Sequence, residues 1–283
     1  MVVVGGERRL TEGVERRRVL SHTNQGGDKM RKRVTAALAG AAMLLAALTA
    51  TAAVPVEAQT PPRDPVVIVG GFLTGQPIAD FFYAGLADRL RADGYEAYIF
   101  GPVDFGMADI RASAASLDRF VDGIRATTGA QKVDLIGHSQ GGLTGRYYIK
   151  SLGGAAEVDS MISLSSLHYG TAVANLGAFL LLGDCVGIAG CEQMRIGSTF
   201  LDGLNAGDDT IGNVSYTNIV TVWDELVIPY WNGFLKNDGN NANVTSQSQC
   251  PFRFVGHAGV ASDATVYSGV VDALRHEPIR LSC

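Results

Sequence analysis

Short apolar runs alternate with segments of helical periodicity along the chain, and this alternation limits the possible folds more than any other feature. Val66–Val69 is an unbroken apolar run that ends at two glycines, which is typical of a strand buried on both faces. Residues 78–90 then place apolar side chains at helical spacing, and Asp93 and Gly94 end that segment. Strands that alternate with helices predict a mostly parallel sheet with helices on both faces.

The same pattern continues through most of the chain. Strands are predicted at residues 66–69, 95–100, 133–136, 158–164 and 218–222, and helices at residues 78–90, 110–124, 143–152 and 263–274. No linker follows Pro65, and no segment repeats at a regular period. Residues 59–283 are therefore predicted to form a single α/β domain.

Residues 1–58 differ from the rest of the chain in composition. A basic cluster follows Met30 and precedes an uncharged run, rich in Ala and Leu, at residues 34–54. Small residues end this run, which predicts a secretory signal peptide that begins at Met30 and is cleaved near Ala53 or Ala58. The residues before Met30 are interpreted as an extension. Because Ala and Thr make the run only weakly hydrophobic, we expect a secreted protein without a stable membrane anchor.

The part of the chain that follows the signal peptide is acidic and contains all four cysteines. Residues 59–283 have a formal net charge of −9, against −5 for the whole chain, which argues against a nucleic-acid partner. Four cysteines in an exported protein predict disulfides, and we favour Cys185–Cys191 and Cys250–Cys283 among the possible pairings. A zinc site is the alternative, but the Cys and His spacings typical of zinc ligands are lacking, so no metal is expected.

One motif indicates chemistry. The third predicted strand runs directly into Gly137-His138-Ser139-Gln140-Gly141, a G-x-S-x-G sequence in the strand–turn–helix context of a nucleophile elbow. Such a turn lifts the serine hydroxyl above the sheet, and the N-terminus of the following helix favours negative charge beside it. An incidental serine in a glycine-rich turn is the alternative, but the position after a buried strand favours Ser139 as a nucleophile.

A serine nucleophile needs a base, and His257 is the favoured candidate among the five histidines. It lies between glycines, precedes a helix and follows Ser139 in the chain order typical of this arrangement. His168 is the main rival, with a pocket-lining or capping role as its own alternative. His138 adjoins Ser139 and is expected to point away, and His276 lies at the end of the last helix.

The acid that orients the histidine is expected between Ser139 and His257, after a strand. Asp224 follows the predicted strand at residues 218–222 and fits this position, with Glu225 as the near alternative. A carboxylate there would accept the imidazole N–H and stabilise the imidazolium. A turn-rich stretch typical of solvated surface holds Asp202, Asp208 and Asp209.

Two backbone N–H groups are needed to stabilise the oxyanion that forms when a serine attacks an ester. Gln140, the residue after the nucleophile, is expected to supply one of them. The loop after the first strand is expected to supply the other, and Phe72 is favoured because Gly70 and Gly71 allow a close approach. A phosphate-binding loop is the alternative, but the glycine patterns of nucleotide sites are missing.

These motifs resemble those of the secreted class 2 triacylglycerol lipases and esterases, a family with the α/β-hydrolase fold. The blocks that carry the similarity are residues 67–72, 137–142, 165–171, 191–194, 197–198, 204–208, 224–229 and 256–259. The later blocks are also similar to fungal lipase B enzymes. The chain departs from the family pattern at Gly70, where relatives commonly carry His or Pro.

The resemblance implies the same site as the residues themselves. It assigns Ser139, Asp224 and His257 to a catalytic triad. It assigns the oxyanion donors to Phe72 and Gln140, and it implies an enzyme that needs no cofactor.

The predicted reaction is hydrolysis of a lipid or small ester by a monomeric enzyme. Five residues are predicted to contact the substrate: Leu73, His168, Leu176, Phe179 and Leu180. An ordinary core helix is the alternative for the apolar run at residues 173–182. A polyester depolymerase or an acyltransferase would use the same triad. A non-catalytic secreted binding protein on a hydrolase scaffold is the alternative from another class.

Overall fold

A computed structural model describes residues 63–175, 185–236 and 239–283. These residues belong to one compact unit that spans Pro61–Cys283. The predicted signal peptide lies outside the described residues. So do three of the predicted substrate contacts, Leu176, Phe179 and Leu180.

A sheet of six parallel strands forms the centre of the described part of the chain. Its strands are β1 (Val66–Val69), β2 (Ala97–Phe100), β3 (Val133–His138), β4 (Val158–Leu164), β5 (Ser215–Val220) and β6 (Asn241–Thr245). They lie in the order β2-β1-β3-β4-β5-β6, and every neighbouring pair is parallel. The predicted α/β-hydrolase fold, with a parallel central sheet, is confirmed.

Helices connect the strands and cover the sheet. The described helices are α1 (Gln76–Ala92), α2 (Ile110–Thr128), α3 (Gln140–Ser151), α4 (Ala189–Gln193), α5 (Thr199–Leu204), α6 (Ser246–Gln249) and α7 (Ala264–Leu274). Asp109 caps α2 by accepting the Arg111 N–H, and the left-handed Gly129 ends that helix. Within the described ranges, no helix combines the length and the apolar character needed to span a membrane.

Alternation along β1 divides the core between the two faces of the sheet. Val66 and Ile68 pack with apolar side chains of α1 and α7 on one face. Val67 and Val69 pack with apolar side chains of α2 and α3 on the other. Because all four residues are fully buried, β1 requires an apolar residue at every position, which explains its unbroken sequence.

The sheet topology determines where a site can form. Because β2 and β3 pair with opposite edges of β1, the chain turns in opposite directions after β1 and after β3. Helices α1 and α3, which follow these two strands, accordingly pack on opposite faces. A crevice opens at the carboxyl ends of strands at such a point, and ligands of α/β proteins bind there.

The structure differs from the sequence prediction in several details. The strand predicted at residues 218–222 lies at Ser215–Val220. Polar residues alternate with Tyr216 at its start, so no apolar run indicates where the strand begins. Strand β6 was missed because its sequence, Asn-Ala-Asn-Val-Thr, lacks an apolar run. Asp209, predicted to be solvated, is buried and pairs with the guanidinium of Arg146 at 3.3 Å.

The four cysteines form two disulfides. Cys185 bonds to Cys191, and Cys250 bonds to Cys283, which is the pairing that the sequence favoured. The second bond joins the end of α6 to the last residue of the chain. Closing a loop of this length reduces the entropy of the unfolded chain and stabilises the folded state.

A buried carboxyl group lies on the inner strand β3, near the amino end of that strand and opposite the crevice. Asp134 of β3 is almost inaccessible, and its Oδ1 accepts the N–H of Ser160 at 3.0 Å. Burial raises the pKa of Asp134 to about 8, and the nearby carboxylates of Asp64 and Asp159 contribute in the same direction. The folded protein therefore holds a proton on Asp134 at neutral pH.

Replacing this carboxyl group should change how stability depends on pH. The unfolded chain loses the Asp134 proton near its ordinary pKa of 3.8, whereas the folded chain keeps it until about pH 8, so wild-type stability falls between these values. Asp134→Asn removes that loss and retains an acceptor for Ser160. We expect its free energy of unfolding, relative to wild type, to rise by a few kcal/mol from about pH 5 to about pH 8. Urea unfolding measures this, and a difference independent of pH would contradict it.

Candidate active site

Ser139 occupies a sharp turn between β3 and α3. Its backbone angles, φ 56° and ψ −126°, lie in a region that residues with side chains rarely adopt, which stores strain at this position. The N–H of Ser139 donates to the carbonyl of Leu164 at 3.1 Å, which fixes the turn to β4. A side chain at Gly141 would collide with the carbonyl oxygen of Val69, so the first turn of α3 can approach β1 only without one.

His257 and Asp224 meet in the interior beside this turn. The Nδ1 atom of His257 lies 3.0 Å and 3.1 Å from the two carboxylate oxygens of Asp224, and both side chains are buried. Because a carboxylate can only accept, the proton of a neutral His257 ring lies on Nδ1. The lone pair of the neutral ring is then on Nε2, the atom that a general base would use.

Hydrogen bonds from His257 and from backbone N–H groups hold Asp224 in its ionised form. Its Oδ1 accepts from Leu226 at 3.0 Å and from Val227 at 2.7 Å. Burial disfavours the charged carboxylate, but the hydrogen bond from His257 and the one from Val227 outweigh it, and the pKa of Asp224 is lowered. An ionised acceptor next to Nδ1 is what stabilises an imidazolium.

Two side chains hold the main chain of His257. The carboxylate of Glu225, the alternative acid in the sequence, accepts the His257 N–H at 2.9 Å and therefore contacts the backbone rather than the ring. The ring of His138 contacts the His257 carbonyl oxygen through Nε2 at 3.0 Å. Because His138 directly precedes Ser139, this bond links the serine turn to the segment before α7 that carries His257, which we call the histidine loop.

The sequence prediction that His138 points away is therefore wrong. Its ring centroid lies 5.0 Å from that of His257, and its Nδ1 atom lies 2.8 Å from the hydroxyl of Tyr83. The alternation of side chains along β3 could have predicted the direction of the His138 ring. In β3, Ile136 faces α1, so His138, two residues later, projects to the same face, where Tyr83 is buried.

The predicted oxyanion donors lie next to Ser139, one on the loop after β1 and the other at the start of α3. A Cβ added to Gly71 would be 2.9 Å from the Ser139 Cβ, so the loop that carries Phe72 passes directly beside the serine. Among the described residues, the Phe72 N–H has no hydrogen-bond acceptor. Gln140 begins α3, where N–H groups lack acceptors within the helix. Its side-chain amide donates to the Gly106 carbonyl at 2.9 Å and so joins a third loop to the site.

The two described residues that were predicted to contact substrate have different environments. Leu73 is 55% exposed, and its N–H donates to the Phe105 carbonyl at 2.6 Å. His168 is fully buried, and its Nε2 lies 3.0 Å from the Asn218 side-chain oxygen. Burial lowers the pKa of His168, so the ring is neutral. It departs from the predicted substrate-contacting role because the fold leaves none of its surface accessible.

Exposed apolar side chains lie on α1 and on the loops near the site. We define this apolar rim as Leu73, Phe82, Phe105, Trp223 and Phe254. Trp223 directly precedes the buried acid, and its ring lies 5.1 Å from that of Phe254 on the histidine loop. Phe82 of α1 stacks on His138 with ring centroids 6.0 Å apart. Exposed aromatic groups in such a cluster are typical of surfaces that bind apolar ligands.

Within residues 63–175, 185–236 and 239–283, no group of three or more His, Cys, Asp or Glu side chains is arranged to hold a metal ion.

Known proteins resemble this chain in both sequence and fold. A family model described as the alpha/beta hydrolase fold matches residues 64–182. A triacylglycerol lipase of Burkholderia plantarii is 33% identical over 156 residues, which are 54% of this chain and 42% of the relative. One of Vibrio cholerae is 32% identical over 151 residues, covering 50% of this chain and 44% of the relative.

Solved structures share the fold at lower sequence identity. Aspergillus fumigatus lipase B superposes with a TM-score of 0.65 and 21% identity, over 77% of this chain and 54% of that one. The mature form of Bacillus licheniformis lipase BlEst2 superposes with a TM-score of 0.59 and 18% identity, over 78% and 95%. The chain thus has the α/β-hydrolase fold and is similar in sequence to bacterial triacylglycerol lipases. It spans less than half the length of the two bacterial relatives.

The protonation state of His138 can be measured directly. Burial lowers its pKa to about 4, and the neighbouring His257 contributes in the same direction. We expect the ring to stay neutral from about pH 5.5 to pH 8, with its proton on Nε2, because the His257 carbonyl can only accept. Nitrogen-15 NMR of the imidazole groups, assigned by the signal lost in His138→Gln, tests this. Titration of His138 near the ordinary value of 6.5 would contradict it.

Proposed function

We propose that this protein is a serine carboxylic ester hydrolase, a lipase or esterase, that acts through an acyl-enzyme on Ser139. The observation that carries the proposal is the buried hydrogen bond between His257 and the ionised Asp224, at the sheet edge where the strained Ser139 lies. The names of the relatives from Burkholderia plantarii and Vibrio cholerae support the same reaction class.

The proposed reaction begins with a proton transfer. His257 Nε2 takes the hydroxyl proton as the Ser139 oxygen attacks the ester carbonyl, and Asp224 stabilises the imidazolium that results. The oxyanion accepts hydrogen bonds from the N–H groups of Phe72 and Gln140. The imidazolium then gives its proton to the leaving alcohol. A water molecule, deprotonated by His257, releases the acid and restores the serine.

The apolar rim supports a lipid-like ester as the substrate. Trp223 and Phe254 are 52% and 70% exposed, beside the acid and the histidine respectively. An acyl chain placed against them would remove apolar surface from water, which contributes about 25 cal/mol per Å². Short soluble esters gain little from this surface, so the rim favours longer chains.

We also propose that the protein acts outside the cytoplasm. One disulfide precedes the acid segment and the other joins cysteines on either side of His257, and such bonds persist in oxidising compartments. The signal-peptide pattern that begins at Met30 supports the same localisation.

Hydrolysis of p-nitrophenyl esters tests the proposed triad. We expect Ser139→Ala and Asp224→Asn each to lower kcat by about 10⁴-fold, because the first removes the nucleophile and the second leaves His257 in the wrong tautomer. Ser116→Ala on α2 and the exposed Asp202→Asn are matched controls that should retain wild-type rates. Equal turnover by wild type and Ser139→Ala would rule out the triad.

The same assay addresses the substrate. We expect kcat/KM to rise from acetyl to longer acyl esters, and Trp223→Ser to reduce that rise while leaving acetyl ester hydrolysis nearly unchanged. A strict preference for acetyl esters would retain an esterase but contradict the lipid-like substrate. Product analysis in the presence of an added alcohol separates hydrolysis from acyl transfer.

A further inference from the structure

Hydrogen bonds hold the Gly71 peptide from both sides. Its N–H donates to the hydroxyl of Tyr83 at 3.2 Å, and its carbonyl accepts from the hydroxyl of Thr74 at 2.7 Å. Gly71 directly precedes Phe72, so these bonds determine where the Phe72 N–H lies. Tyr83 comes from α1 and is fully buried, which makes it a rigid support for this loop.

The Tyr83 hydroxyl continues into a chain of hydrogen bonds that reaches His257. It lies 2.8 Å from His138 Nδ1, and His138 Nε2 lies 3.0 Å from the His257 carbonyl oxygen. The carbonyl can only accept, so Nε2 donates and the neutral ring leaves Nδ1 as an acceptor. Tyr83 then donates to Nδ1, and its oxygen accepts the Gly71 N–H. Each donor in this series of hydrogen bonds therefore faces an acceptor.

The absence of a side chain at Gly70 makes room for this arrangement. A Cβ there would be 3.3 Å from the Tyr83 ring and 2.6 Å from the Thr74 hydroxyl, so the two supports of Gly71 occupy the space that a side chain would need. Ring packing fixes His138 as well, because Phe82 stacks on one face and the edge of Tyr83 approaches it with centroids 5.7 Å apart.

We propose that Tyr83 and His138 are positioning residues. They hold the loop after β1 that carries Phe72, which we call the oxyanion loop, and the histidine loop at a fixed spacing around Ser139. This inference rests on the proposed ester hydrolase function. Neither side chain touches the substrate; each acts through the backbone of Gly71 or His257. Their effect is expected on the transition state, because oxyanion donors act only where charge develops and a misplacement of about 1 Å costs up to about 10²-fold in rate.

Tyr83→Phe tests the proposal because it removes only the hydroxyl that joins the two loops. We expect kcat to fall about 10-fold with KM nearly unchanged. Inhibition by an alkyl boronic acid, whose tetrahedral serine adduct resembles the transition state, should weaken by the same factor. Tyr148→Phe is the matched control, since it removes a buried hydroxyl bonded to Glu157 on the other face of the sheet. It should change neither quantity more than about twofold.

Variants of His138 give a second measurement. His138→Gln retains an N–H donor for the His257 carbonyl and should keep more of kcat than His138→Phe, which has none. If Tyr83→Phe keeps wild-type kcat, or loses kcat without weaker boronate binding, the positioning role is wrong. If instead the wild-type protein hydrolyses esters no faster than Ser139→Ala, the proposed function itself fails. The two failures are therefore distinguishable.

Discussion

At the carboxyl edge of the sheet, the first turn of α3 lies directly against the end of β1. The backbone of Gly141 approaches the Val69 carbonyl so closely that no side chain fits, directly after the sharp turn at Ser139. The same contact brings the β1 loop beside the serine. Val69 near the end of β1 pairs with Gly137 near the end of β3. The segments that follow these two adjacent strands therefore lie close together, and both predicted oxyanion donors are near the proposed nucleophile.

The second half of the site is assembled by loops rather than by regular structure. Asp224 follows β5 and His257 precedes α7, and the two segments meet through the buried carboxylate–imidazole contact. Thr221 strengthens this junction because its hydroxyl donates to the Val255 carbonyl at 2.8 Å. His138 and Tyr83 then connect the histidine loop to the β1 loop. Backbone groups of Gly71 and His257 thus belong to one hydrogen-bonded unit around Ser139.

Local sequence patterns predicted the parts of this structure that depend on local physics. Buried strands such as β1 show an apolar side chain at every position, and the elbow shows its glycines, so the fold and the sharp turn at Ser139 could be predicted. The sequence could not predict β6, because backbone pairing with β5 rather than apolar side chains makes it a strand. The hydrogen bonds of Tyr83 and Glu225 join segments that are distant in the sequence, which no local pattern records.

Covalent labelling of Ser139 tests the central claim most directly. A fluorophosphonate reacts with a serine only when a base activates it and an oxyanion site receives the phosphoryl oxygen, so the label reports the assembled site without knowledge of the substrate. Mass spectrometry of peptides from the labelled protein should find one adduct, on Ser139, and His257→Ala should abolish it. An unlabelled protein, or an adduct on another serine, would contradict the account.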